Sequence, residues 1–392
     1  MRPAERVLAA PPYPFAAMAR TAAQLRAEGR RVLSLGIGDP DTPPPHGAYE
    51  ALREALALPG GHRYPDSGGS DRFRAAVAAY YARRFGVRPD VGREVVGLIG
   101  SKEGLAHLLW AVAGPGDVVL VPDPAYPVYA VQAAFAGAEA FPLPLLPERA
   151  FLPDLDAVPA EVLRRAKALV LCYPNAPTAA VADAAFLAAA LAFGRRHGLT
   201  VINDGAYLDI VYEGAPAPSL LALAGPEDLA VEFYSLSKTL HVTGWRLAAA
   251  IGSAPVLDAL RVVKEATDSG QWTPLQEAGA AMLEDPALDA YVGAENRRLR
   301  DRRDRLLPSL RRAGLEPAPS RATLYVWCRV PGRAAEAGRG DVYATRLLEA
   351  TGVLITPGGA FGPAGSAYVR LSLSLPDEEL DEAAQRLGAF EP

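Results

Sequence analysis

Short apolar runs alternating with alanine- and leucine-rich helical stretches predict an α/β protein. Its large domain carries a mostly parallel, seven-stranded, doubly wound sheet, and both chain ends form a smaller α+β domain. Three observations carry that prediction. Seven apolar runs of five or six residues recur between 95 and 252. Most are separated by segments with helical period, such as 183–197. After about 285 the pattern changes to a long charged helix followed by strands and helices, which reads as a second unit. A length of 392 residues also fits one large and one smaller domain better than a single core. The expected division is an N-terminal arm and part of the small domain over 1–45, the large domain over 46–285, and a small C-terminal α+β domain over 286–392.

The strands of the large sheet are expected at VVGLIG (95–100), DVVLV (117–121), EAFPL (139–143), ALVLCY (168–173), TVIND (200–204), AVEFYS (230–235) and LAAAIG (247–252). The last follows its predecessor after a short loop, so one antiparallel strand can enter the sheet. In the second unit, 290–315 reads as a long helix, TLYVWCRV (323–330) and VRLSLS (369–374) as strands, and 341–351 as a helix. Residues 1–40 are expected to pack with that unit, and 331–340 (PGRAAEAGRG) to form an exposed, mobile loop.

Composition narrows the function classes. Half the residues are apolar and the formal net charge is −5, so nothing points to nucleic acid or an anionic membrane surface. The longest apolar stretch, 184–193, falls far short of a bilayer span. Prolines interrupt the N-terminal MRPAERVLAAPPYPF where a signal peptide needs an unbroken apolar core. Two cysteines, Cys172 and Cys328, suit a reducing compartment, and the five histidines show no metal-ligand spacing. A cytoplasmic protein without a bound metal is expected.

Candidate chemistry concentrates just past the strand ends, where open α/β sheets bind ligands. The segment AVEFYSLSKTLHVTGWR (230–246) places Ser235, Ser237 and Lys238 at one such end, with Arg246 beyond. Of forty basic residues only four are lysines, Lys102, Lys167, Lys238 and Lys264, and arginine cannot form an imine near neutral pH. After 95–100, Ser101 and Lys102 open a helix whose free amides suit an anion. After 117–121, DPAYPVY offers Tyr126 as an aromatic platform. After 168–173 comes Asn175, a possible donor to a phenolic oxygen. After 200–204, Asp204 can hold a pyridine nitrogen protonated and Tyr207 can reach the ring's other side. Each alone is also what a structural residue would be, Ser101 an N-cap and Asn175 a turn asparagine. Together they supply a phosphate cup, a stacking face, an anion, phenolic-oxygen donors and a lysine, which are the requirements of pyridoxal 5′-phosphate (PLP).

Over essentially its whole length the chain resembles the class I/II, fold-type-I PLP-dependent aminotransferases. The matching motifs are GIGDPD (36–41), RYPDSGGSDRFRAAVAAYY (63–81), GSKEGLAHL (100–108), DPAYPVY (123–129), YPNAPT (173–178), DGAY (204–207), SLSKTLHVTGWR (235–246) and PGGAFGPAGSAYVRLSLS (357–374). PPYPFA (11–16), GIGDPD, GSKEG and SLSKTxxxTGWR look most like the LL-diaminopimelate aminotransferase group. The resemblance implies that Lys238 carries the cofactor as an imine, Asp204 pairs with its pyridinium, Tyr207 and Asn175 meet its phenolic oxygen, and Tyr126 covers its ring. Ser101, Lys102, Ser235, Ser237 and Arg246 would surround the phosphate. Arg370 would clamp the substrate α-carboxylate, with Gly38 and Tyr13 close by. Tyr64 matches a tyrosine that reaches the neighbouring subunit's phosphate, which implies a homodimer, and Gln271 is a candidate contact from the partner subunit.

Two departures stand out: the family's Asn-Asn-Pro-Thr-Gly reads Asn175-Ala-Pro-Thr-Ala179 here, and the strand after Arg246 is LAAAIG rather than glycine-rich. The implied activity is ping-pong transamination between an L-amino acid, LL-diaminopimelate or another, and a 2-oxo acid such as 2-oxoglutarate. A β-eliminating PLP lyase could use the same lysine, aspartate and arginine. A non-catalytic PLP-binding regulator is the remote alternative, since about 30 residues before GIGDPD are too few for a helix-turn-helix unit.

Overall fold

The computed structural model describes residues 1–8 and 16–391. All seven expected strands form, within one sheet. They are β2 (Val95–Leu98), β3 (Val118–Asp123), β4 (Glu139–Pro144), β5 (Ala166–Leu171), β6 (Thr200–Asp204), β7 (Ala230–Ser235) and β8 (Ala248–Gly252), a short β1 (Leu33–Ser34) preceding them in the chain. Their order is β2-β8-β7-β6-β5-β3-β4.

Connection length explains the pairing. Between β5 and β6 runs the helix Ala184–His197, long enough for a parallel crossover. Asp183 caps its start by accepting from Phe186 N at 2.8 Å, and Gly198, at φ 67°, ends it. Between β7 and β8 there is only the one-turn helix Leu236–Thr239 and a tight turn at Thr243–Trp245, too little for a crossover. Strand β8 therefore enters antiparallel to both β7 and β2. Strands β3, β6 and β7 are buried along their whole length, as strands covered on both faces must be, whereas the edge strand β4 is mostly exposed.

The C-terminal part contains the helix Leu288–Arg312 and an antiparallel sheet of order β12-β13-β10-β9, formed by β9 (Glu316–Pro317), β10 (Tyr325–Arg329), β12 (Thr356–Pro357) and β13 (Tyr368–Ser372). Strand β1 pairs in parallel with β11 (Val353–Leu354). Leu25, Leu33 and Leu35 share one apolar core with Leu306, Leu310, Val326, Leu347 and Leu371. The expected loop 331–340 is different: Gly332–Glu336 forms a short helix and tucks Ala335 into the interior. Its run Arg-Ala-Ala-Glu has strong helix formers, which outweigh the flanking glycines. No helix among the described residues is long and apolar enough to cross a membrane.

Candidate active site

A cleft of about 530 Å³ opens at the carboxyl ends of the large sheet and is bounded across from them by residues 36–38 and by Arg370 on β13. Ser101, Lys102, Tyr126, Asp204, Tyr207, Ser235, Ser237, Lys238, Arg246, Gly38 and Arg370 all line it. Eleven expected residues from six chain segments thus meet in one place.

One end suits a phosphate. The helix Ser101–Val112 points its N-terminus into the cleft, so its free amides and the Ser101 hydroxyl face the ligand space. Ser235 caps the turn that carries Lys238, its hydroxyl accepting from Ser237 N at 3.3 Å. Arg246 stands beside them in a left-handed conformation (φ 52°) and donates to Thr243 O at 2.8 Å. Its guanidinium lies so close to Gly100 that any Cβ there would overlap it. Gly100, at φ 82°, is therefore required twice over.

The middle of the cleft is negative and hydroxyl-rich. Asp204 is 9 % exposed; Tyr129 donates to its Oδ2 at 2.8 Å, and Oδ1 makes no hydrogen bond of normal geometry among the described residues. Burial raises its pKa above the ordinary 3.8, against partial relief from the Tyr129 hydroxyl and the Ala206 main chain. Tyr126 is pushed up to about 12, chiefly by burial and then by the Asp204 charge, so its phenol stays neutral. The Lys102 ammonium lies 5.6 Å from the centre of the Tyr126 ring. Tyr207 is buried and its hydroxyl lies 3.1 Å from that of Tyr325. The Cys172 thiol, also pushed up to about 12 by burial, is an inert wall.

The far side carries the cations. Lys238 Nζ donates to the Gly38 carbonyl. Arg370, 6 % exposed, donates to Gly36 O at 2.8 Å, with its guanidinium carbon 4.0 Å from the Tyr325 ring centre and 4.5 Å from that of Phe361. Gly38 has no room for a side chain, since a Cβ would strike the Tyr325 ring.

Three expected residues, Asn175, Tyr64 and Gln271, do not line the cleft. Asn175 is fully buried outside the lining: its Nδ2 donates to Cys172 O at 3.1 Å and its Oδ1 accepts from Thr178 N and Oγ1 at 3.1 and 2.7 Å. Ala179 adopts φ 60°, the conformation the family's glycine would adopt, so the loop keeps its path despite the substitution. Tyr64 is 90 % exposed and away from this cleft. Tyr13 falls outside the described residues. Gln271 donates to Trp245 O and Arg246 O and accepts from Trp272 N, so its amide braces the Arg246 loop instead of reaching outward. Sequence reasoning missed Tyr129, Thr243, Tyr325 and Phe361, which also line the cleft. Tyr129, Thr243 and Phe361 stand inside the motifs quoted above, whereas Tyr325 lies outside all of them. A histidine with ligand neighbours was missed too: Glu103, His107 and Asp268 place ligand atoms within 4.8 Å of one another. The buried Lys264 ammonium, 2.9 Å from Asp268 and 3.4 Å from Glu103, already neutralises them.

The family profile "Aminotransferase class I and II" matches residues 30–387. The chain belongs to that family. It is 46 % identical to the LL-diaminopimelate aminotransferase of Desulforudis audaxviator, over 98 % of this chain and 96 % of the relative. Among solved structures it is similar to a probable N-succinyldiaminopimelate aminotransferase from Thermus thermophilus (40 % identity, TM-score 0.89, 95 % of this chain and 99 % of that one). It is also similar to a Thermus thermophilus aspartate aminotransferase single mutant (31 % identity, TM-score 0.91, 99 % of both chains). This aminotransferase uses PLP, as its family does, and moves an amino group between an amino acid and a 2-oxo acid. The cleft fits that cofactor on its own terms. A buried carboxylate oxygen without a donor suits a protonated ring nitrogen, and serine hydroxyls, helix amides and an arginine converge where a phosphate would sit.

Proposed function

We propose that this aminotransferase takes LL-diaminopimelate as its amino donor and a 2-oxo acid such as 2-oxoglutarate as acceptor, acting as a cytoplasmic homodimer. The observation that carries the reaction type is the presence, in one cleft, of Asp204 with an unsatisfied oxygen and of Lys238, with Arg370 opposite. The donor rests on the likeness to LL-diaminopimelate aminotransferases at 46 % and 42 % identity over nearly the whole chain. The lyase alternative is not favoured, since those relatives are aminotransferases.

PLP, when bound, supplies the sink for the electrons of the donor's Cα–H bond. The chain's residues do the rest. Arg370, its guanidinium carbon 4.0 Å from the Tyr325 ring centre and 4.5 Å from that of Phe361, would grip the α-carboxylate with two parallel N–H groups and orient that bond, beside the Gly38 main chain. Lys238 Nζ is the base placed to take the Cα proton, and general acid–base transfer of this kind is worth about 10²–10⁴-fold. Asp204 Oδ1 would hold the ring nitrogen's proton, Tyr207 would donate at the phenolic oxygen and Tyr126 would cover the ring, while Asn175 braces the loop behind them through Cys172 O and Thr178. Ser101, Lys102 through its backbone amide, Ser235, Ser237 and Arg246 hold the phosphate. Tyr13 is assigned to the substrate from the motif alone.

Dimerisation is supported by exposed apolar side chains on one stretch, Leu56, Leu58 and Tyr64, beside Trp272, whose Nε1 donates to Gly61 O at 2.7 Å. Tyr64 would serve the partner subunit's phosphate. The grouping of the N-terminal segment with the C-terminal domain is supported by the core that Leu25, Leu33 and Leu35 share with Leu306, Val326 and Leu371.

The test is the visible spectrum of the PLP-loaded protein as single amino donors are added without a 2-oxo acid. Loss of the yellow band, fastest with LL-diaminopimelate, is the expected result. A faster response to aspartate, glutamate or an aromatic donor would replace the substrate. Continuous keto-acid and ammonia release with the band retained would make the protein a lyase.

A further inference from the structure

Tyr325 was absent from the sequence-based site, yet it touches every catalytic element on the far side of the cleft. Its hydroxyl lies 3.1 Å from that of Tyr207, its ring face lies 4.0 Å from the Arg370 guanidinium carbon, and it abuts Gly38, whose carbonyl receives Lys238. It is 4 % exposed.

The backbone around it is built for that position. Thr323, fully buried, sits at φ 66°, an outlier for a β-branched residue that persists only where the surroundings enforce it. They do so here: Thr323 Oγ1 accepts from Tyr325 N at 3.2 Å, and Thr323 N donates to Ile210 O at 2.9 Å. Ile210 N in turn donates to Tyr207 O at 2.9 Å. A continuous main-chain link thus fixes the two tyrosines relative to each other, although they lie 118 residues apart.

Either hydroxyl can donate across the 3.1 Å between them. Tyr207 lines the ligand cleft, so once it donates to a ligand oxygen there, Tyr325 is the group placed to donate to it in turn. Burial drives the Tyr207 pKa well above its ordinary value; burial raises that of Tyr325 too, but the Arg370 and Lys238 charges and the bond to Tyr207 outweigh it.

We infer that Tyr325 is a positioning residue of the transamination site: its hydroxyl aims the Tyr207 O–H at the cofactor's phenolic oxygen, and its ring holds Arg370 flat for the substrate carboxylate. The inference rests on the PLP reading of the cleft.

The test uses the full-length, PLP-loaded protein and the pH at which its yellow band bleaches. A donor at the phenolic oxygen favours the deprotonated partner nitrogen and so lowers that midpoint. Tyr325→Phe raises the midpoint by about half to one pH unit, and Tyr207→Phe raises it further. The double variant moves no further than Tyr207→Phe alone, because one hydroxyl acts through the other. The ring role separates in steady-state kinetics. Tyr325→Leu raises KM for L-glutamate about 5- to 30-fold through loss of the cation–π platform, whereas Tyr325→Phe stays within about twofold. If the leucine variant fails to fold, the phenylalanine titration alone decides. A Tyr325→Phe midpoint equal to wild type, with Tyr207→Phe shifted, would overturn this inference alone. A wild-type protein that shows no band with PLP would overturn the reading beneath it as well.

Discussion

Two buried carboxylates stand on adjacent strands of the large sheet, Asp204 at the end of β6 and Glu232 within β7. Burial raises the pKa of both. Glu232 is fully satisfied: Ser219 Oγ at 2.6 Å, Asn203 Nδ2 and Leu220 N at 2.9 Å, and Tyr81 Oη at 3.1 Å all donate to it. Asp204 has one donor on one oxygen and none of normal geometry on the other among the described residues. The lysines repeat the contrast. Lys264, fully buried, is neutralised by Asp268 and Glu103, while Lys238 in the cleft holds, among the described residues, only a main-chain carbonyl. A buried charge with all its partners supports the fold; one left incomplete at a strand end is waiting for a ligand.

That contrast can be broken by exchanging effects. Lys238→Ala lowers transamination by about 10⁴-fold or more with the protein still folded, as steady-state assay and circular dichroism would show. Lys264→Met does the opposite: it leaves Asp268 and Glu103 uncompensated, costs about 3 kcal/mol in denaturant titration, and preserves turnover per folded molecule. The carboxylates divide in the same way. Glu232→Ala strands four donors and destabilises by about 3–5 kcal/mol, whereas Asp204→Asn lowers turnover by about 10²–10³-fold with little effect on folding. A stability loss at Asp204 equal to that at Glu232 would erase the distinction. The smallest effect belongs to Ala179. At φ 60° it bears left-handed strain of about 1–2 kcal/mol, partly offset by glycine's extra chain entropy, so Ala179→Gly stabilises by up to about 1 kcal/mol in the same titration.

The half of the site built on the large sheet was legible in the sequence because each residue immediately follows a strand. Strand runs such as TVIND and AVEFYS announce themselves by β-branched and aromatic residues, and Asp204 and Lys238 fall where those runs stop. The other half was legible only at Arg370 and Gly38, through motif likeness. Tyr325 has no local signature, since its role arises from contacts across the cleft, and a strand tyrosine reads as core. Phe361 and Tyr129 stand in quoted motifs, but nothing local says that one ring meets Arg370 or that the other's hydroxyl meets Asp204, 75 residues on. The short helix at 332–336 was hidden by the glycines around it.

The most direct test of the contrast is thermal melting of wild type and Asp204→Asn between pH 5 and pH 8, with and without PLP. The raised Asp204 pKa means that the folded, cofactor-free protein retains a proton there after the unfolded chain has released its own. Stability from this group is therefore present at low pH and lost as pH rises through the raised value, which lies above 3.8. Without PLP, Asp204→Asn should melt no lower than wild type once pH exceeds the raised value, where the wild-type carboxylate is buried and charged. With PLP, wild type should gain markedly more than the variant. A variant that melts well below wild type without PLP, and gains just as much from it, would mean that Asp204 is a structural carboxylate like Glu232.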